Sequence, residues 1–440
     1  MKTCYYALGG INYKNGVITT CPRQANQLVF ANETIMPSQI FNHKNFKELR
    51  RMLMSDRWPS GCDTCEEMEN VGAKSMRNDY VLDDKNYFSK PTSYDISKKL
   101  YGETKAHEEL ILNEVSNPKK LMECYNEKTG FVDELGLRHV EFRFSTSCNF
   151  ACLHCSDVYS SGWTKKLKNY VPDEEVKIMD LRQLLGTEHR HGPNDKNEMR
   201  LSTSQALKIA EDLNENFPLL SQVDFAGGEL LYQKQFYPTL KKLSEHPNVS
   251  NLHISFHTNF NADFKVDELS EVLKPFKKIS IIISVDAGKT FYSYFRHGGV
   301  WSKLKSNIKE FKHLNKDDVN RHPMREQKIS MDVSCTTSIY QMLDIYDVFN
   351  SFFELECRLD ASIVQTPKYL NPSLMNLDFH EELMRDLNRT QELINKDKRS
   401  KKCENTQHWF DYIKNYVLKH KSSYKDFNKW LIYRKKSDEI

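Results

Sequence analysis

The 440-residue chain lacks a strong excess of either charge, with 63 lysines and arginines against 60 aspartates and glutamates, a net of +3. That balance does not indicate a protein that tracks nucleic acid through a broad basic surface. Long apolar runs are also missing. The most apolar stretch, Ile279 to Val285, is far short of the roughly 20 residues a membrane helix needs. Met1 to Cys4 is not followed by the apolar segment of an export signal. No internal repeat and no low-complexity tract interrupts the chain. Its eleven cysteines are too sparse for a disulfide scaffold, which concentrates cysteine in a short secreted chain. The expectation is therefore a cytoplasmic protein in a reducing compartment, where clustered cysteines mean metal or thiol chemistry. What is present, 39% hydrophobic and 28% charged residues, is the profile of a soluble globular protein with chain enough for a large domain and a smaller companion.

Cysteine spacing organises the rest. Cys4, Cys21, Cys62 and Cys65 fall in the first 65 residues, and Cys148, Cys152 and Cys155 fall within eight. Cys124, Cys335, Cys357 and Cys403 are scattered and read as buried small hydrophobes. From His139 onward, short apolar runs alternate with amphipathic stretches. Candidate strands are Val140 to Phe144, Gln222 to Ala226, Leu252 to His257, Ile279 to Val285, Ile329 to Ser334 and Ala361 to Val364; candidate helices include Ser204 to Asn216 and Val300 to Leu314. Strands alternating with helices predict an α/β fold with a parallel sheet, open or curled, and six units approach a partial (β/α)6 barrel. The expected division is a cysteine module at 1–80, a helical connecting arm at 81–135, the barrel at 136–370 and a helical extension at 371–440. Trp409, Tyr412, Ile413, Tyr416 and Val417 lie on one helical face of that extension. The charged stretch 160–200 reads as a lid or a surface loop.

Cys148, Cys152 and Cys155, spaced C-x3-C-x2-C, directly follow the first candidate strand. Three thiolates on one loop can bind three irons of a cubane cluster and leave the fourth open, as a catalytic metal keeps a vacant position. A zinc site completed by His154 or a distant residue is the alternative. The spacing and position resemble the signature loop of the radical S-adenosylmethionine (radical SAM) superfamily. Gly227-Gly228-Glu229, after the second strand, resembles that family's Gly-Gly-Glu motif, which holds the ammonium of SAM. Thr258-Asn259 and Ser284-x-Asp286, at the ends of the third and fourth strands, resemble its further SAM contacts, and Arg296 is a candidate partner for the SAM carboxylate. As isolated residues these read as turn formers, a helix cap and a surface charge. Leu230 stands where the family often has Pro, and Phe260 where it often has Gly, which puts the local loop geometry in question.

The N-terminal cysteines admit a structural zinc ribbon. Their C-x11-G-x4-C segment and C-x2-C pair also resemble the twitch module, a half-length relative of the SPASM domain, which binds one auxiliary [4Fe–4S] cluster through Cys4, Cys21, Cys62 and Cys65. Phe46, Leu49, Leu53 and Met54 fit one helical face there, and Trp58-Pro59-Ser60-Gly61 forms a turn before Cys62. The resemblance implies two [4Fe–4S] clusters, SAM near His154 and the motifs above, an electron donor such as flavodoxin or ferredoxin, and a substrate from which a 5′-deoxyadenosyl radical takes hydrogen. A peptide or protein side chain is the first expectation for that substrate, and a sugar or aminocyclitol the second. A zinc-binding interaction protein is the non-enzymatic alternative. No general base can be named from the sequence, and neither nucleic acid nor a membrane is expected as a partner.

Overall fold

The computed structural model describes residues 4–14, 17–22, 29–30, 35–70, 75, 77, 118–155, 159–170, 201–319, 328–342, 344–364, 370–372, 380–396, 406–407, 410–411 and 413–415. Its strands in chain order are β1 (Gly10–Lys14), β2 (Val17–Thr19), β3 (Val29–Phe30), β4 (His139–Arg143), β5 (Ala151–Cys152), β6 (Gln222–Phe225), β7 (His253–Thr258), β8 (Lys278–Ser284), β9 (Arg296–His297), β10 (Ile329–Thr337) and β11 (Arg358–Ile363). Nine form one sheet in the order β11-β10-β8-β7-β6-β4-β1-β2-β3, and β5 pairs with β9. From β11 to β1 every neighbour is parallel, while β2 and β3 finish the edge antiparallel. All six strands expected from the sequence are present and lie side by side in chain order, without the reversal of a doubly wound sheet.

The hairpin β1–β2 was not anticipated. It attaches the N-terminal cysteine segment to the main sheet, with Gly10 opposite His139 and Lys14 opposite Arg143. The expected connecting arm differs too. Its residues 81–117 lie outside the described residues, and its end joins the main core, where Leu121 and Val132 are buried.

Period-2 alternation explains the sheet. In β8 (KISIIIS), Ile279, Ile281 and Ile283 are wholly buried on one face, while Ser280, Ile282 and Ser284 on the other are half-buried. The apolar face carries Val140, Phe142, Val223, Phe225, Ile254, Phe256, Met331 and Val333. Amphipathic helices supply the other half of this core. Helix Thr203–Asn216 buries Ala206, Ile209, Ala210 and Leu213, and starts at a capping box in which Ser202 Oγ accepts from Gln205 N (3.2 Å) and Gln205 Oε1 accepts from Ser202 N (2.9 Å). Helices Phe236–Leu243, Val266–Leu273, Trp301–Leu314 and Ile345–Leu355 bury apolar stripes in the same core. Helix His380–Lys396 belongs to the C-terminal extension, where Phe410 meets Phe349 edge-on at 5.6 Å and Ile413 is buried. Trp409, Tyr412, Tyr416, Val417 and Cys403 lie outside the described residues. Among the described residues no helix is long and apolar enough to cross a membrane.

Candidate active site and a second cysteine site

The C-terminal ends of the parallel strands gather the polar residues. Cys148, Phe150 and Cys152 form one buried cluster just beyond β4, with half-buried Cys155 packed against it. The loop is held from several sides. Phe150 N donates to Cys148 Sγ at 3.4 Å, and Cys148 N donates to Ser161 Oγ at 3.1 Å. Trp163 Nε1 donates to Cys152 O at 2.8 Å. These last two partners begin helix Ser161–Tyr170, so the start of the expected lid or loop is instead a brace under the cysteines; residues 171–200 lie outside the described residues. β5 pairs with β9, which puts Cys152 opposite Arg296.

Gly227 and Gly228 both have left-handed φ, +84° and +56°. A Cβ on Gly228 would come within 2.3 Å of the Ser147 carbonyl, so this approach to the cysteine loop requires glycine. Gln233 Nε2 fastens the same contact by donating to Gly227 O (2.9 Å), Ser147 O (3.1 Å) and Ser145 O (3.3 Å). Glu229 is 1% exposed. Its carboxylate accepts from Thr258 Oγ1 (2.6 Å), Asn259 N (2.6 Å) and Leu231 N (3.1 Å), which ties the end of β6 to the end of β7. Burial raises its pKa, although these donors oppose the rise. Asn259 Nδ2 donates to Asn149 Oδ1 at 2.8 Å and so reaches the cysteine loop itself.

Asp286, 2% exposed, forms an ion pair with Arg296, lies 3.1 Å from His154 Nε2 and accepts from Thr336 N at 3.0 Å. Burial alone would raise its pKa, but the charges of His154 and Arg296 outweigh burial and hold the carboxyl well below its usual range. Arg296 also lies over the Phe150 ring at 5.7 Å. Burial works against its charge too, and Cys152 and Asp286 together raise its pKa. The structure thus joins His154, Asp286 and Arg296 in one buried network on the cysteine loop. Ser284 ends β8 half-buried, opposite Ser334. Among the described residues, four buried polar atoms around this loop have no hydrogen-bond partner: Arg296 Nε, His154 Nδ1, Tyr292 Oη and Gln233 Oε1. Three thiols on one loop, a guanidinium beside them and unpaired polar atoms around them fit an anionic cluster with a polar ligand.

The other four cysteines also come together. Cys4, Cys21, Cys62 and Cys65 line one cavity of about 30 Å³ with Tyr6, Leu49, Leu53, Trp58 and Arg77. Cys62 and Cys65 are one turn apart, Cys65 N donating to Cys62 O at 3.0 Å, and Cys62 N donates to Pro59 O at 3.1 Å in the expected turn. Helix Lys44–Met54 buries Phe46, Leu49 and Leu53, as its spacing predicts. Burial pushes the Cys4 thiol up to about 11, and burial followed by the charges of Cys21, Cys4 and Cys65 pushes Cys62 up further. At neither site, nor elsewhere among the described residues, do three His, Cys, Asp or Glu side chains converge on a point that would hold a single metal ion.

Sequence reading missed Gln233, Ser161 and Trp163. Their only signal was nearness in the chain to a motif, since serine, tryptophan and glutamine carry no spacing rule. Cys335 and Cys357 are buried in the core as expected.

No protein-family model and no curated protein matches the chain. Some solved structures do. Native anSMEcpe with bound AdoMet is similar at 14% identity, over 58% of this chain and 59% of that one, with a TM-score of 0.35. Native anSMEcpe with bound AdoMet and Kp18Cys peptide is similar at 14% identity, over 57% and 58%, with a TM-score of 0.33. Streptococcus suis SuiB bound to precursor peptide SuiA is similar at 11% identity, over 75% and 60%, with a TM-score of 0.34. The chain spans 59% of the length of the first of these. Likeness at these scores is too weak to choose between functions.

Proposed function

We propose that the chain is a radical SAM enzyme on a partial (β/α)6 barrel, acting on a peptide or protein side chain. One observation carries this reading: the C-x3-C-x2-C loop is assembled at the C-terminal ends of a singly wound parallel sheet, bonded to the Gly227–Glu229 and Thr258–Asn259 turns. When bound at Cys148, Cys152 and Cys155, a [4Fe–4S] cluster with SAM supplies reductive cleavage of the sulfonium to a 5′-deoxyadenosyl radical. The chain's own residues set the stage. Arg296 offsets thiolate charge at Cys152, Phe150 keeps water from the sulfurs, and Asp286 with His154 fixes the loop. Gly228 lets its backbone press against the Ser147 carbonyl, where a Cβ would clash.

Cys4, Cys21, Cys62 and Cys65 would hold one auxiliary [4Fe–4S] cluster in a twitch-like module, and a flavodoxin or ferredoxin would supply electrons. The zinc alternative requires sulfurs drawn to about 2.3 Å from one ion. Metal analysis distinguishes the two, since a zinc site takes up neither iron nor sulfide.

The test is anaerobic reconstitution with iron and sulfide, followed by dithionite and SAM. About eight irons per chain and production of 5′-deoxyadenosine are expected. Its absence from the intact protein, or undiminished production by Cys148→Ala, refutes the assignment.

A further inference from the structure

The second face of the main sheet meets the site above only at its C-terminal edge, through Ser284. Strand register arranges it in rows. Asn12, Glu141, Asp224, Ser255, Ser280 and Ser330 stand level across six strands, and one step toward the C-terminal ends His257 stands level with Ile282, Asp332 and Arg358. Nearly every residue on this face is polar, and none of the named ones joins the apolar core. Their hydrogen bonds run mainly among themselves: His139 to Asp224 (2.8 Å), Ser280 to Ser330 (3.1 Å), and Arg358 to Asp332 through two bonds of 2.6 and 2.8 Å. A sheet face covered by helices would be apolar, as the opposite one is.

His257 stands out within this pattern. It is the single exposed position of β7, whose burial runs from half-buried His253 through three buried residues to exposed His257 and buried Thr258. It precedes Thr258 and Asn259, which hold Glu229 and the cysteine loop, so its place relative to that loop is fixed. Surrounding protein nonetheless desolvates the imidazole and lowers its pKa, with Asp224 and Glu141 pulling upward and Arg143 downward. At neutral pH His257 presents a neutral ring that can accept a hydrogen bond.

We propose that His257, the exposed position of β7 on this polar wall, contacts a hydrophilic, hydrogen-bonding group of the substrate. The inference rests on the radical SAM reading and narrows it: the target is a polar side chain or polyol carbon, not an aliphatic or aromatic side chain. An apolar group here would strip water from the half-buried Asp224, Asp332, Ser280 and Ser330 without replacing their hydrogen bonds.

The test uses the reconstituted enzyme with SAM and dithionite, and reads 5′-deoxyadenosine. Three probes are added separately: random decapeptides with Ser, Thr, Cys, Asn or Lys at the centre, the same library with Val, Leu, Ile or Phe at the centre, and myo-inositol. Stimulation of about tenfold by the polar-centred library or by myo-inositol, abolished in His257→Ala of wild-type iron content and partly restored in His257→Gln, is the expected result. Stimulation by myo-inositol alone keeps the wall and replaces the peptide reading with a small molecule. Stimulation by the apolar library alone, by no probe, or equally in His257→Ala overturns the proposal.

A second measurement needs no cluster. Diethyl pyrocarbonate should modify His257 of the folded apo-protein faster than the buried His139 and His246, and the reverse order overturns the placement. If no preparation makes 5′-deoxyadenosine, the radical SAM reading fails, and the modification order still decides whether the wall is open.

Discussion

The two cysteine groups lie at opposite ends of one sheet and in opposite environments. Cys148, Cys152 and Cys155 follow the C-terminal end of β4. Cys4 precedes β1 and Cys21 follows its antiparallel partner, which places them toward the other end. The Tyr6 ring meets His139, the first residue of β4, at 5.3 Å, which fixes that placement. Five residues of strand separate the two levels by about 16 Å. The trio is flanked by buried charge from Asp286, Arg296 and His154, whereas the group of four is lined chiefly by Leu49, Leu53, Trp58 and Tyr6. The contrast suits two different jobs. Charges and unpaired donors around three thiols suit a site that takes a further polar ligand, and four thiols in an apolar pocket suit a closed one.

The largest effect expected from this contrast is on SAM cleavage. Cys148→Ala should lower it by at least about a thousandfold, whereas Cys65→Ala should leave it measurable. Each variant should lose about four irons. Equal loss of cleavage in both variants would erase the functional distinction. A smaller effect is expected on stability of the apo-protein in urea. Arg296→Gln leaves Asp286 buried with His154 and the Thr336 N–H but without its guanidinium, and should cost about 3–5 kcal/mol. Arg77→Gln, which removes the guanidinium from Glu69 at the N-terminal end and leaves the Ser75 hydrogen bond, should cost about 2 kcal/mol. Reversal of that order would show that buried charge does not distinguish the two ends.

The six parallel strands, helix 203–216 and helix 44–54 were legible because each expresses one period over its whole length. Membership of both cysteine groups was legible because spacing along the chain carries it. The N-terminal hairpin was not: β2 and β3 are three and two residues long, too short for any period to register. Nor was the pairing of Arg296 with Asp286, since two residues ten apart across a turn share no spacing signal. Phe260 is instructive in another way. Where a glycine was expected, this phenylalanine takes φ = +51° while remaining wholly buried against Phe264 and Phe311. The left-handed conformation costs about 1–2 kcal/mol, and burying the ring returns about as much. The turn survives the change of residue because the core holds it.

The smallest predicted effect concerns two histidines on the row nearest the four-cysteine end, and it carries opposite signs. His139 stands one strand from Gln222, which stands opposite His253. Burial lowers the His253 pKa to about 4, aided by the charge of Lys278. Burial also opposes protonation of His139, but Asp224 outweighs it and raises that pKa. As pH falls from 7 to 5, the unfolded chain protonates His253 and the native state does not, so this residue withdraws about 2 kcal/mol of stability. His139 acts oppositely: its contribution is full below the unfolded pKa and fades as pH rises through the folded one, so acid favours its ion pair with Asp224. Urea midpoints at pH 7 and 5 separate the two. His253→Asn should flatten the loss of stability toward pH 5, and His139→Asn should steepen it. If both variants shift the profile in the same direction, the row does not hold one neutral and one charged histidine, and the polar face near the four cysteines differs from the ladder described for it.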